Sequence, residues 1–590
     1  MSKPFEIGLT LAGAVSAGAY SAGVMDFMIE ALDTWHAEKG KPGAGVPRHE
    51  VSIKVMSGAS AGSITAAVAT ATMMHEHHPV HDPGQANPNR LYDTWVTGID
   101  IGKLLERSDL EDPDAPARSL LDSSILDTLA RDALKQGTPQ RRSYLAEPLH
   151  LLFTVTNLRG VPYNLGFRGN HAAGHDFRMH GDHVHLVLSE GGAARCAGAV
   201  AVPWSDQSPA GAAGWNLLGQ AALASGAFPI GLSPRTLEYT FSNLDGDIYW
   251  QRQWQSWEGR ECEGQPLFRR AYHQIKPRWV PPDGVEPYSR PYRFVCVDGG
   301  SMNNEPLELA HGILAGDDRF NSRDGGQARR ALIMIDPFPD QIDDQEAHDD
   351  LFSAVIGLVG AWKAQSRFRA MDIALAQQAD IYSRFLIAPV RTDPNGNEAI
   401  YPIAGASVGA FGGFLSEDFR RHDFLLGRRN ARGFLKKHFT LPEHNPLFKD
   451  AGGAWVNGWS ETLAQQFGRD EDGNPYAGIG ARHLPIIPVL DDIPMDVDLP
   501  AWNSLYSHER LDEIRKPLRK RILAVGERLA DQGMRDAPFL NGLIGLVIRL
   551  VDNKLADAAV TAMRKELVKY GLLPERKEVE PGPWQDDNLI

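Results

Sequence analysis

Ser60 sits at the centre of Gly58-Ala59-Ser60-Ala61-Gly62, directly after the apolar-alternating run 51–56 and directly before the small-residue run 63–74. That order predicts a strand, a sharp turn and a helix. On such a turn the Ser of G-x-S-x-G is pushed out beyond the C-terminal edge of a sheet. Gly58 and Gly62 keep the crowded turn free of Cβ clashes. Amides at the start of the helix favour developing negative charge. The chemistry such a serine supports is acyl transfer through a covalent intermediate. The pattern uses common residues, so its neighbours in the fold must support it.

Two stretches do so. The apolar residues 294–297 run into Asp298-Gly299-Gly300. An Asp that ends a buried strand on a glycine turn faces the same sheet edge as the elbow and can act as a general base, although an Asp-Gly pair is also an ordinary turn. Residues 12–23, rich in Gly and Ala, follow the first apolar run. Gly13 and Gly18 have the spacing of a phosphate-binding loop, but Ala19 stands where that loop needs Lys. The other chemical reading is a set of backbone N–H groups that stabilise the oxyanion of an acyl intermediate on Ser60. The plain reading is tight strand–helix packing. The elbow about forty residues later favours the oxyanion reading.

The elements that must position these residues are legible as buried strands at 5–11, 51–56, 149–156, 183–188, 294–297, 331–335 and 385–390. Helical patterns at 19–36, 63–74 and 123–134 lie between them. Strands alternating with helices predict a layered α/β sandwich with a mainly parallel central sheet. Residues 75–114 and 236–290 read as long, loop-like inserts, the second ordered by its aromatic residues. Beyond about residue 400 the strand signal fades, and helices are predicted at 414–439, 505–532 and 541–573. The expected organisation is a catalytic α/β domain over 1–400, with its motifs within 5–340, and a mostly helical region over 401–590.

Composition narrows the class. The chain has 590 residues and a formal net charge of −15, which argues against nucleic acid as a partner. Three widely spaced cysteines, Cys196, Cys262 and Cys296, suit a reducing compartment, and the expected location is cytoplasmic, peripheral at membranes. The apolar N-terminal stretch 9–24 carries regularly spaced glycines and reads as strand, turn and helix rather than as a leader. The longest apolar run, 351–362, is too short to span a bilayer.

Together, the glycine turn, the elbow and Asp298-Gly299-Gly300 resemble the patatin-like phospholipase family. Residues 222–229, Ala-Leu-Ala-Ser-Gly-Ala-Phe-Pro, resemble that family's Ala-Ser-x-Ala-x-Pro segment, and residues 303–306, Asn-Asn-Glu-Pro, its short stretch after the Asp. The resemblance spans about residues 5–340. It implies a patatin-like sandwich and a Ser/Asp dyad, with Ser60 as nucleophile and Asp298 as base and no His between them. It implies hydrolysis of acyl esters of phospholipids or other lipids at a membrane or micelle surface, with no cofactor and no metal. Gly13, Ala14 and Ala61 would supply the oxyanion N–H groups, and Gly18, Gly58, Gly62, Gly299 and Gly300 would be motif glycines. Where the family commonly shows Gly-Gly-Gly-x-Arg-Gly, this chain has Gly13-Ala14-Val15-Ser16-Ala17-Gly18. Val15 is β-branched and resists positive φ. With the arginine gone, the motif does not say what braces the turn.

Other residues admit a sharp and a plain reading. His75, His77, His78 and His81, and separately His180, His183 and His185, form clusters that read as solvated loops more readily than as metal sites. His311 follows Asp298 closely enough to suggest a Ser-His-Asp esterase instead. The altered turn leaves open a decayed, lipid-binding protein. Arg515, Lys516, Arg519, Lys520 and Arg521 form a basic helical face, suited to anionic head groups or to nearby acids. The aromatic residues between 249 and 292 suit a lipid surface or the packing beneath an insert.

Overall fold

The computed structural model describes the chain apart from residues 1–2, 85–87, 166–173, 191–198, 206, 241–251, 263–264, 276–290, 317–320, 339–382, 393–394, 503–504, 534–537 and 576–590. All seven predicted strands form within those residues. They are β1 (Phe5–Leu11), β2 (Val51–Gly58), β3 (Leu145–Leu165), β4 (His175–Ser189), β9 (Pro291–Asp298), β10 (Arg330–Ile335) and β11 (Arg384–Ile387), joined by β5 (Val200–Pro203) and β6 (Arg235–Thr240). The sheet runs β11-β10-β1-β2-β3-β4-β5, with β9 pairing β3 and β6 off that path. From β11 to β3 every pairing is parallel. The β3–β4, β3–β9 and β6–β9 pairings are antiparallel. β1 is buried along almost its whole length, as a central parallel strand covered on both faces must be.

Helices α1 (Gly18–Lys39), α2 (Ala61–Met73), α3 (Ser124–Ala133), α4 (Pro209–Ser225) and α5 (Leu307–Ala315) cover this sheet. Small residues let α2 lie against β1, where a Cβ on Gly62 would run into the Leu11 carbonyl. The C-terminal half adds α6 (Glu417–Lys437), α7 (His508–Gly533) and α8 (Pro538–Lys569). α6 starts at Ser416, whose side chain accepts from the Asp418 N–H at 3.2 Å.

α1 and α6 cross backbone to backbone. A Cβ at Gly23 would strike the Phe424 carbonyl, and one at Gly427 would strike that of Tyr20. Beside the crossing, Arg428 is fully buried among Asp26, Glu30 at 2.7 Å and Asp496 at 2.8 Å. Burial opposes its charge, but the three carboxylates outweigh burial and hold its pKa above the usual value. The main core cluster accordingly takes in β1, β2, α1 and α2 together with Phe424, Leu426 and Phe434 of α6.

One expectation is corrected. Residues 236–290 are not simply loop-like, because most of β6 and an antiparallel hairpin of β7 (Arg252–Cys262) and β8 (Gln265–Ile275) lie within them. The aromatic side chains between 249 and 291 fall outside the described residues, as does the apolar run 351–362. On α7, Arg515, Lys516, Arg519 and Lys520 are exposed, whereas Arg521 is buried. Arg521 is 1 % exposed and donates to Asp109 Oδ2 at 2.8 Å and to the Leu120 carbonyl at 2.9 Å. Arg515 pairs with Asp557. Burial of Arg521 fastens α7 to residues 106–120 instead of presenting its charge to a head group. Among the described residues, no helix is long and apolar enough to cross a membrane.

Candidate active site

β2 ends at Gly58 and α2 begins at Ala61, so the turn between them has two residues, Ala59 and Ser60. Ser60 takes φ 51° and ψ −127°, a conformation that costs an L-residue on the order of 1–3 kcal/mol. Three contacts hold it there. The Ser60 N–H donates to Ser225 Oγ at 2.9 Å, Ser225 Oγ shares a second hydrogen bond with Ser63 Oγ at 2.8 Å, and the Ala59 N–H donates to the Leu11 carbonyl. A Cβ at Gly58 would press on the backbone of Gly62 and Ser63.

β9 delivers Asp298 to the same edge. Its backbone pairs with Val155 of β3, its carbonyl accepts from Thr156 Oγ1 at 2.8 Å, and its N–H donates to the Ala227 carbonyl at 2.9 Å. The carboxylate is divided between two donors. Oδ1 accepts from the Gly300 N–H at 2.7 Å, and Oδ2 accepts from Ser60 Oγ at 2.6 Å. The second distance is that of a charge-assisted O–H···O⁻ bond. Ser60 is 5 % exposed and Asp298 4 %, so bulk water hardly competes for that proton. The serine and aspartate picked out in the sequence therefore meet directly, 238 positions apart.

The Ala-Ser-x-Ala-x-Pro segment clamps both partners, Ser60 through Ser225 and Asp298 through Ala227. Asn304 ties the glycine turn to the aspartate loop. Its Nδ2 donates to the Gly13 carbonyl at 3.3 Å and to Glu305 Oε1 at 2.8 Å. Its Oδ1 lies where a Cβ on either Gly13 or Gly300 would fall. The same ideal Cβ on Gly13 would be 3.1 Å from the Ser60 Cβ, which places the turn against the serine.

Gly13 itself departs from the expected oxyanion set. Its N–H donates to the Asn304 carbonyl at 3.2 Å and is thereby occupied. The amides of Ala14, Val15 and Ala61 have no protein acceptor among the described residues. Val15 adopts φ 44°, the left-handed conformation that its branched side chain resists.

A pocket with a mostly apolar lining opens beside Ser60. Its lining includes Ser60, Val15 and Ala61, Leu126, Leu129 and Leu134 of α3 and its C-terminus, and Trp95, Phe228 and Phe414. α3 turns its apolar side to this space. No histidine lines the pocket among the described residues, and His311 lies on α5, outside its lining. The histidine clusters serve elsewhere. His75 Nδ1 bonds the Ala71 carbonyl, His81 pairs with Glu30 at 2.9 Å, and His185 meets His150 at 3.0 Å. The fold thus brings a serine hydroxyl, a carboxylate and three amides without a protein acceptor among the described residues together beside an apolar pocket.

The model of the patatin-like phospholipase family matches residues 9–311. A Sinorhizobium fredii protein, "Uncharacterized protein y4iI", is 33 % identical over an alignment covering 96 % of this chain and 82 % of its own length. The chain belongs to the patatin-like phospholipase family, and at that level it is a lipid acyl hydrolase.

Proposed function

We propose that this protein cleaves acyl esters of phospholipids or related lipids, as a phospholipase of A type, through a Ser60/Asp298 dyad. The observation that carries the reading is the 2.6 Å bond from Ser60 Oγ to Asp298 Oδ2 beside an apolar pocket. Ser60 Oγ attacks the ester carbonyl carbon as its proton passes to Asp298 Oδ2. The oxyanion is received by the N–H groups of Ala14 and Ala61, with Val15 as a third donor. Collapse expels the alcohol, which takes the proton from Asp298. Water then attacks the acyl-serine as its proton passes to Asp298; collapse breaks the acyl–Ser60 bond, Ser60 Oγ takes the proton back from Asp298, and the fatty acid leaves.

An ordinary Asp titrates near about 4 and is a weak base at neutral pH, so the work falls on proximity in a site almost closed to water. The acyl chain occupies the pocket against α3, which requires the protein to meet its lipid at a bilayer or micelle surface. The direct contact between serine and carboxylate favours the dyad over a Ser-His-Asp triad. The test is release of fatty acid from mixed phospholipid vesicles by wild type and Ser60→Ala. Loss of release in a Ser60→Ala protein with unchanged melting supports the reading; release near the wild-type rate refutes it.

A further inference from the structure

The turn that faces Ser60 is strained, and it is held from the far end of the chain. A left-handed Val15 costs about 1–2 kcal/mol. Such a conformation persists only where its surroundings over-determine it. Here the surroundings meet at the next residue. Ser16 is 1 % exposed. Its N–H donates to the Ala410 carbonyl at 3.1 Å. Its hydroxyl donates to that same carbonyl at 2.7 Å and accepts from the Gly413 N–H at 2.9 Å, with the Gly405 carbonyl 3.3 Å away.

The partners of Ser16 form a built cradle. Val408, Gly409 and Ala410 take φ of 54°, 60° and 75°, three left-handed residues in succession. The loop is anchored by Asp423 of α6, whose two carboxylate oxygens accept from the Ala404 and Gly405 N–H groups at 2.8 and 2.7 Å. Ser407 Oγ donates to the Ala404 carbonyl at 2.8 Å, and the Gly412 N–H donates to the Ser407 carbonyl at 2.9 Å. Gly413 has no room for a side chain, because a Cβ there would sit 2.7 Å from Ser16 Oγ. The cradle lies beyond residue 311, where the family match ends.

We propose that Ser16 is a positioning residue for acyl transfer, and that residues 404–413 fix the Ala14 and Val15 amides against Ser60 through it. This rests on the reading of Ser60 as nucleophile. Without the cradle Val15 relaxes toward negative φ, and the amides lose their aim, while the pocket wall built by α3 and α4 stays in place. Removing a whole oxyanion donor costs roughly 10²–10³ in kcat, so loosening these donors costs on the order of 10–100-fold.

The experiment compares full-length wild type with Ser16→Ala, Ser16→Thr, Gly413→Ala and Ser407→Ala on a soluble p-nitrophenyl acyl ester. It adds binding of a trifluoromethyl ketone, which forms a tetrahedral oxyanion on the serine, and binding of the free fatty acid. Ser16→Ala and Gly413→Ala should lower kcat with KM within about twofold. They should weaken the ketone by the same factor and change fatty-acid affinity far less, because only Val15 and Phe414 of the acyl-pocket lining adjoin the altered positions. Ser16→Thr keeps the hydroxyl and should recover most of the kcat. Ser407→Ala loosens the loop without touching Ser16 and should show the same split at smaller size, even if Ser16→Ala does not fold. Wild-type kcat in Gly413→Ala and Ser407→Ala, or a fall in fatty-acid affinity that matches the fall in kcat, overturns the cradle. A wild type that does not turn over the ester brings down the nucleophile reading as well, whereas an active wild type with unaffected variants brings down the cradle alone.

Discussion

Replacing Asp298 by Asn separates the shape of the site from its proton chemistry. The carboxylate meets two donors, the Gly300 N–H at Oδ1 and the Ser60 hydroxyl at Oδ2. A backbone N–H cannot reverse, so the oxygen of the introduced amide must face Gly300 and its NH₂ must face Ser60. The serine hydroxyl can then only accept, and its proton has no base. Both hydrogen bonds survive with one reversed, so the fold should keep its stability to within about 1 kcal/mol. The loss falls on the chemical step. A positioned general base contributes about 10²–10⁴-fold, which is about 2.7–5.4 kcal/mol of barrier. The assay is steady-state hydrolysis of a soluble p-nitrophenyl acyl ester, with thermal unfolding of the same samples. Expected is a kcat at least a hundredfold lower with KM and melting little changed. Activity within about fivefold of wild type in a well-folded Asp298→Asn would refute the role of the carboxylate.

Three further outcomes follow from the packing. Ala222→Phe, at a pocket-lining position on α4, should cut kcat/KM for long-chain esters by at least about tenfold while sparing acetyl esters; a uniform fall over chain lengths would remove the acyl chain from this pocket. Arg428→Ala leaves Asp26, Glu30 and Asp496 buried without their cation and should destabilise the fold by about 3–5 kcal/mol in denaturant titration, against less than 1 kcal/mol if the cluster is dispensable. Acid should destabilise the fold through His49. Burial lowers its pKa from 6.5 to about 3, against the bond to the Ile486 carbonyl, which favours the charged ring; in the neutral ring Nδ1 accepts from Trp459 Nε1 and Nε2 donates to that carbonyl. Between those two pH values the unfolded chain holds a proton that the folded one refuses, so stability falls with falling pH by about 1.4 kcal/mol per unit and levels off below the folded value. His36 and His150, lowered by burial to about 4, act in the same direction. A His49→Gln protein should show a shallower acid slope, and an unchanged slope would assign the effect to other groups.

The sequence made visible whatever was written in local pattern. Apolar runs located β1, β2 and β10 most plainly because buried parallel strands leave little choice of residue. Ser60 and Asp298 were legible because each ends a strand on a glycine turn. The partners that hold them were less so. Ser225 and Ala227 lay in a recognisable segment, but their hydrogen bonds to Ser60 and Asp298 depend on how α4 crosses the sheet. That the Gly13 amide is taken by Asn304 follows from a contact 291 positions away, in a region with no helical or strand period. Ser16 is a plain serine in a small-residue turn until the loop near residue 410 closes on it. The β7–β8 hairpin was missed because its charged, aromatic and glutamine residues do not alternate cleanly between apolar and polar. Arg521 read as part of a basic face because charge along a helix says nothing of which turn another segment covers.

The central claim is that Ser60 is the nucleophile, and covalent capture tests it most directly. A fluorophosphonate probe transfers its phosphonyl group to an activated serine with loss of fluoride, and digestion with mass spectrometry then reads the modified residue. The account predicts stoichiometric labelling of Ser60, abolished in Ser60→Ala and strongly slowed in Asp298→Asn. Stoichiometric labelling of another serine, or no labelling of a folded protein that still releases fatty acid, would contradict it.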